Sequence, residues 1–241
     1  MTIQHDGPTV ASAPAPASVG MTLGGAGEAT AIRLQILTAE HSSLVASRSL
    51  AWNESFSRVG MYLSLLSGAI VALALVGQGS AFGQTFFVFG VVILPVVLFV
   101  GVTTFLRTGS SNYHDAQCVI GMNRIRAGYL QIAPDMAHFF VMGVHDDPPG
   151  VVQTMAFEPG LSQLAHVLAA TPSVVVVVDS VLAAAIIAFA LDLLGFLPAT
   201  VMVVAVLTFV VSFAIHVRYA RGRIRHLQGA VRPVFPSSPS D

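Results

Sequence analysis

Two groups of side chains in this sequence are of the right type to do chemistry. The first lies in its polar middle. His114 and Cys118 are spaced i,i+4, Asp135 and His138 i,i+3, and His145, Asp146 and Asp147 follow closely. Imidazole, thiolate and carboxylate together are the ligand set of zinc. The spacing fits no zinc motif, however, and ordinary solvated polar residues explain it better, so no metal is expected. Cys118 is the only cysteine, which rules out an intrachain disulfide and a CxxC knuckle. The second group centres on Asp179. It stands in "VVVVVDSVLAAA", Val174 to Ala185, as a single carboxylate in an apolar run. What that carboxylate does depends on the solvent around it.

Composition supplies the solvent. Of the 241 residues, 54% are hydrophobic and only 10% charged, and the mean hydropathy is +0.77. A water-soluble domain carries about 25% charged residues. Four stretches of about 20 residues, the length that crosses the hydrocarbon of a bilayer as helix, hold most of the apolar residues: 59–78, 85–106, 172–191 and 198–217. None shows the polar face at 3.6-residue spacing that a soluble surface helix needs. In lipid the backbone must satisfy itself, which makes each of them a helix. Pro95 is expected to kink the second span rather than end it.

In that medium Asp179 is expensive. It lies about seven residues inside Pro172, roughly 10 Å along a helix. An ionised carboxylate there costs about 2.5–3.5 kcal/mol on insertion scales. Antiparallel threading places Ser64, Ser67, Thr103, Thr104, Thr208, Ser212 and His216 at a similar depth, so one polar layer across the bundle is expected, with hydroxyls or His216 as partners of Asp179. The simple reading is hydrogen-bonded glue between helices; the other is a group that binds or passes a proton or cation. Packing faces are expected where small residues repeat every four positions: Ser64, Gly68 and Ala72, and Ser180, Ala184 and Ala188. Such rows let helix backbones approach, within one chain or between chains.

Orientation follows from arginine, the only basic residue type apart from histidine. Arg48 and Arg58 precede the first span, and Arg107, Arg124 and Arg126 follow the second. Arg218, Arg221, Arg223 and Arg225 follow the fourth, in "RYARGRIRH". The connections "GQGSAFGQ" and "DLLGFLP" contain no arginine. Basic residues stay in the cytoplasm, so both termini and the central segment are expected inside. The last four arginines read as a topology signal, and alternatively as contacts to anionic lipid head groups. A net charge of −1 argues against a nucleic-acid partner.

The expected layout is all-α: four transmembrane helices in two hairpins with cytoplasmic helical extensions. Residues 1–30 read as a disordered tail rich in Ala, Pro, Gly and Ser. Residues 31–107 form a helix and the first hairpin. Leu37, Val45, Trp52 and Phe56 give that helix a ragged apolar stripe, and Glu54 and Arg58 an i,i+4 ion pair. Residues 108–171 form a cytoplasmic segment: a helix running on from the second span to near Pro134, an apolar run too short to span, a Pro-Pro-Gly loop at "HDDPPG", and a short amphipathic helix with Leu161, Leu164 and Leu168 on one face. Residues 172–217 are the second hairpin and 218–241 a basic tail.

The stretches "RLQILTAEHSSLVASRSLAWNESFSRVGMYLSLLSGAIVALALV", "GMNRIRAGYLQIAP" and "HDDPPG" resemble those of uncharacterised bacterial four-span integral membrane proteins, and the layout is loosely similar to SLATT-type membrane modules, proposed pore-forming effectors. The resemblance implies a multi-pass protein of the bacterial inner membrane and carries over no activity. No GxxxxGK[ST] loop, GxSxG elbow, HExxH or post-strand GxGxxG is present, so no catalytic residue and no cofactor is expected. The expected role is a non-enzymatic membrane scaffold or accessory subunit, partnered by the bilayer, by itself or by other membrane subunits. The alternative is a homo-oligomeric channel with Asp179 in a cation or proton path.

Overall fold

A computed structural model of the chain describes residues 25–155, 171–230 and 232–237, and most of these are helical, with no strand among them. Helix α1 (Gly25–Gly79) is 55 residues long, about 80 Å at 1.5 Å per residue. It starts at Gly25, inside the region expected to be a disordered tail. Ala26, Glu28 and Ala29 explain the early start: two strong helix formers and an acid in the first turn, which favours the positive end of the helix dipole. Helix α2 (Gln84–Ile132) is 49 residues long and passes through Pro95 without ending. It stops before Pro134, as the sequence indicates, and a turn of 3₁₀ helix follows at Pro134–Phe139.

"HDDPPG" is more than a loop. Asp147 accepts a hydrogen bond from the Gly150 amide and caps a short helix α3 (Pro148–Thr154). Proline suits the first turn of a helix, where the missing N–H has no intrahelical partner to lose. Helices α4 (Thr171–Leu193) and α5 (Pro198–Ala230) complete the chain. Helix α5 continues well past Val217, taking up most of the expected basic tail. Leu161, Leu164 and Leu168 lie outside the described residues.

Four helices, α1, α2, α4 and α5, are long and apolar enough to cross a membrane. Helix α2 packs against α1 along one side and α4 along another, and α5 packs on α4 with a smaller contact to α2. Their shared core contains Val59, Tyr62, Ala69, Leu94, Val97, Phe105, Val175, Val176 and Leu182. In the apolar part of α5 one side, with Val204, Thr208, Ser212 and Phe213, is partly buried, and the opposite side, with Val203, Val206, Leu207 and Val210, is exposed. The α1–α2 turn is tight enough to hold Ala81 and Phe82 at φ 48° and 54°, a left-handed conformation that non-glycine residues rarely adopt. At the α4–α5 turn Gly195 takes the same region at φ 78°.

Beyond the apolar segments, residues 25–58 of α1 and 107–132 of α2 run on together as a two-helix stalk. Leu44 of α1 lies over Gly121 of α2, and Leu37 over Gly128. The stripe expected on this helix divides: Leu37 docks in this way, the Trp52 indole hydrogen-bonds Asp115, and Val45 and Phe56 remain exposed.

Candidate functional site

Asp179 lies on the side of α4 that meets α1, α2 and α5. Its side chain is fully buried. The Tyr62 hydroxyl of α1 donates to Oδ1 at 2.7 Å. The second oxygen, Oδ2, is buried and has no hydrogen-bond partner among the described residues; it faces His216 Nε2 of α5 at 3.7 Å. Helix α2 makes room by having no side chain here. A Cβ built on Gly101 would fall on the Asp179 carboxylate and 2.9 Å from the Tyr62 ring. Eleven residues earlier in α2, three helical turns away, Gly90 receives the ring of Phe189 in the same manner.

The histidine is held in one orientation. Its Nδ1 is 2.8 Å from the Ser212 carbonyl oxygen, and a carbonyl only accepts, so Nδ1 carries the hydrogen. The ring of Phe105 packs edge-on against the imidazole with centroids 4.8 Å apart. In a neutral imidazole Nε2 then holds the lone pair and points it at Oδ2. At 3.7 Å the two atoms are beyond hydrogen-bond distance, so the arrangement is a buried polar contact between α4 and α5 in which Oδ2 has no donor among the described residues.

Of the expected polar layer, the structure brings Asp179 and His216 together and leaves most of the rest outside. Ser64, Ser67 and Thr103 are exposed on the bundle surface. The Ser64 and Thr103 hydroxyls return to carbonyls of their own helices, at Gly60 and Val100. Thr208 does the same to Val204, and Ser212 contributes its carbonyl. Thr104 is buried beside the cluster on α2. The residue missing from the sequence reading is Tyr62. Its signal is depth: it lies four residues into the first apolar segment, at a height comparable with that of Asp179.

The packing rows also divide. Ser180 is fully buried, its hydroxyl bonded to the Val176 carbonyl, and Ala184 and Ala188 are half-buried beside it. Gly68 is exposed, with open space where a Cβ would be, and Ala72 is only half-buried, so this second row packs on no described helix at Gly68. The close approaches are at Gly90 and Gly101 instead.

Charges gather in the stalk. Asp115 accepts from Arg48 at 2.6 Å and from Trp52 at 2.9 Å. Glu54 takes both Nε and Nη2 of Arg107 at 2.8 and 3.0 Å and pairs with Arg58 at 3.0 Å. Hydrogen bonds from Arg107, then Arg58, hold the Glu54 carboxyl down at about 2. Arg223 reaches back to α2, 5.6 Å above the Tyr113 ring and 3.4 Å from the Ser110 hydroxyl, while Arg218, Arg221 and Arg225 are exposed. His114 Nε2 lies 3.7 Å from the Cys118 sulfur. Burial, followed by the Asp115 carboxylate, pushes the Cys118 thiol up, away from the thiolate a metal or an electrophile would want. Among the described residues no three His, Cys, Asp or Glu side chains converge on one point.

Compared with known proteins, the chain matches no family model, no curated protein and no solved structure.

Proposed function

We propose that this is a non-enzymatic scaffold or accessory subunit of a membrane complex, threaded through the bacterial inner membrane as two hairpins with both termini in the cytoplasm. The arginine distribution supports the threading. The observation that carries the functional reading is the stalk. Ile32, Ile36 and Leu50 are 51%, 62% and 70% exposed, and at 100° per residue they fall within about 40° of one another around α1. They lie about 14–40 Å along the helix before the first apolar segment, so much of this face is beyond the reach of lipid. None of the described residues covers these side chains, and an exposed apolar strip of this kind marks a protein-binding surface. A photo-crosslinking residue at Ile36 is expected to capture a defined partner polypeptide in cells, and Ile32→Glu/Leu50→Glu to abolish that capture while the protein still inserts. Capture that is indifferent to the charged pair would remove the reading.

The bundle interior supports the same choice. Outward from the Asp179 cluster, residues 69–76, 86–100, 181–191 and 201–207 contain no charged, hydroxyl, amide or imidazole side chain. An ion or proton would find no relay there within one chain.

One observation favours a second reading, a homo-oligomeric channel. A groove of about 460 Å³ on the outer face of α5 is lined by Thr208, Ser212, His216 and neighbouring apolar residues. It leads to the imidazole that faces Asp179. Copies closing over this groove would enclose a polar path. Proton or cation flux into liposomes that falls with Asp179→Asn would establish this reading; equal or absent flux in both forms would leave the scaffold.

A further inference from the structure

The C-terminal segment Arg232–Ser237, "RPVFPS", is held by residues far away in sequence. Asp146 accepts from two successive backbone amides, Val234 N at 2.9 Å and Phe235 N at 2.8 Å. Its own amide donates to the Phe235 carbonyl at 3.2 Å. Asp147 accepts from the Ser237 amide at 2.8 Å and from its hydroxyl. Arg124, paired with Asp146 at 2.6 Å, donates through Nη2 to the Arg232 carbonyl at 3.0 Å. Behind these, Asn123 bonds the carbonyls of His145 and Gly150 and the hydroxyl of Thr154, which fixes the loop carrying both aspartates.

We propose that this clasp is a peptide-binding site for short bent polypeptide segments, and that the chain's own C-terminal residues are its resident, exchangeable occupant. Three features point to recognition rather than simple packing. The contacts read main chain: amides at two consecutive positions, no amide at the third, where Pro236 stands, and an amide plus a hydroxyl at the fourth. The segment bends at Val234 and Phe235, which turns two successive amides toward one carboxylate, and prolines at 233 and 236 restrict the backbone on either side of the bend, which lowers the entropy lost on docking. The site is also far more buried than its occupant. Asp146 is 1% exposed while Val234 is 59% exposed, and Arg232, Pro233 and Pro236 also face outward. The occupant buries little apolar surface and is held by hydrogen bonds, whose net worth is modest, yet removing it takes two N–H donors from the Asp146 carboxylate and an N–H and an O–H donor from Asp147. Such a site favours being refilled and is indifferent to which chain supplies the segment. The ligand class is a bent segment of another polypeptide with the same amide pattern and a serine at the fourth position.

The test uses the full-length protein in detergent and a fluorescent peptide of sequence RPVFPS as probe. A tethered occupant acts at an effective concentration in the millimolar range, so micromolar probe should find the native site closed. Val234→Pro/Ser237→Pro removes tail amides and leaves the aspartates, and should raise probe affinity by about 10-fold or more; adding Asp146→Asn should return it to the native level. As a check that needs no tail substitution beyond the label, a nitroxide attached at Val234→Cys in a Cys118→Ala background should gain mobility when millimolar probe is added to the otherwise native chain. Equal probe binding by native and double-variant chains, no binding by the double variant, or a label unmoved by probe would each overturn the proposal.

Discussion

Asp179 and Asp115 are both buried carboxylates, and the molecule satisfies them with different chemistry. Asp115, in the stalk, accepts from an arginine and an indole, and Arg48 keeps 31% of its side chain exposed. The charge of the pair is partly solvated, so desolvation takes little from it. Asp179, within the apolar bundle, has no arginine. It has one phenol and one imidazole, and α2 gives up a side chain at Gly101 to let it in. An arginine at that depth would have to be desolvated or reach for the interface; a phenol carries its donor on an apolar body and costs little to bury. The surrounding medium selects the partner.

If that contrast is real, the variants with the largest effects are those inside the bundle. Gly101→Val places two methyl groups and a Cβ where the Asp179 carboxylate stands, and is expected to lower stability in detergent by about 3 kcal/mol, read as a drop in thermal midpoint. A Gly101→Val chain as stable as the parent would mean that Asp179 is not seated against α2. Next comes Tyr62→Phe, which leaves Oδ1 buried without a donor and is expected to cost about 1–3 kcal/mol. Tyr62→Phe/Asp179→Leu should recover most of that loss, because removing both polar partners removes the desolvation penalty as well. No recovery would show that the pair is not coupled.

Arg48→Ala, in the stalk, should cost less, about 1 kcal/mol, since Asp115 keeps its indole donor and water can approach. Finding Arg48→Ala more damaging than Tyr62→Phe would reverse the comparison. The smallest effect is expected at Glu54, whose pairs with Arg58 and Arg107 are exposed. Its carboxyl titrates lower in the folded chain than in the unfolded one, so its contribution is complete above about pH 4.3 and is lost as the pH falls toward 2. Asp146 behaves with the same sign. Burial raises its carboxyl, but the Val234, Arg124 and Phe235 donors outweigh it and leave it below the ordinary value. Acid titration of stalk helicity, compared between parent and Glu54→Gln, should show a shallower loss in the variant, and raised salt should narrow the difference. Identical acid curves at low salt would remove Glu54 from the pairing.

Much of this was legible in the sequence because lipid imposes a coarse code. Twenty apolar residues without a polar face leave little freedom, and all four long helices are present where length and composition put them. The stop before Pro134 is equally local. The depth of Asp179 could be read from register, which offered hydroxyls and His216 as partners without choosing between them. Tyr62 could not be weighed correctly, because a tyrosine in an apolar run reads first as bulk and only second as a donor. The small-residue row at Gly68 names a face of a helix without saying what lies against it, and no described helix of the chain does so there. The contacts that close the bundle sit at Gly90 and Gly101, where the repeat is eleven and the neighbours are bulky. The clasp was the least legible feature. Asp146 binds main-chain amides 88 and 89 positions away, and an amide has no sequence signature.

The threading is tested most directly by thiol accessibility, and the single native cysteine makes it simple. In a Cys118→Ala background, cysteines placed one at a time at Gly79, Gly195 and Ser43 are exposed to a membrane-impermeant maleimide in intact cells stripped of the outer membrane. Labelling at 79 and 195, with 43 reacting only after lysis, is the predicted result. Labelling of all three before lysis, or of 43 alone, would contradict four spans with both ends inside.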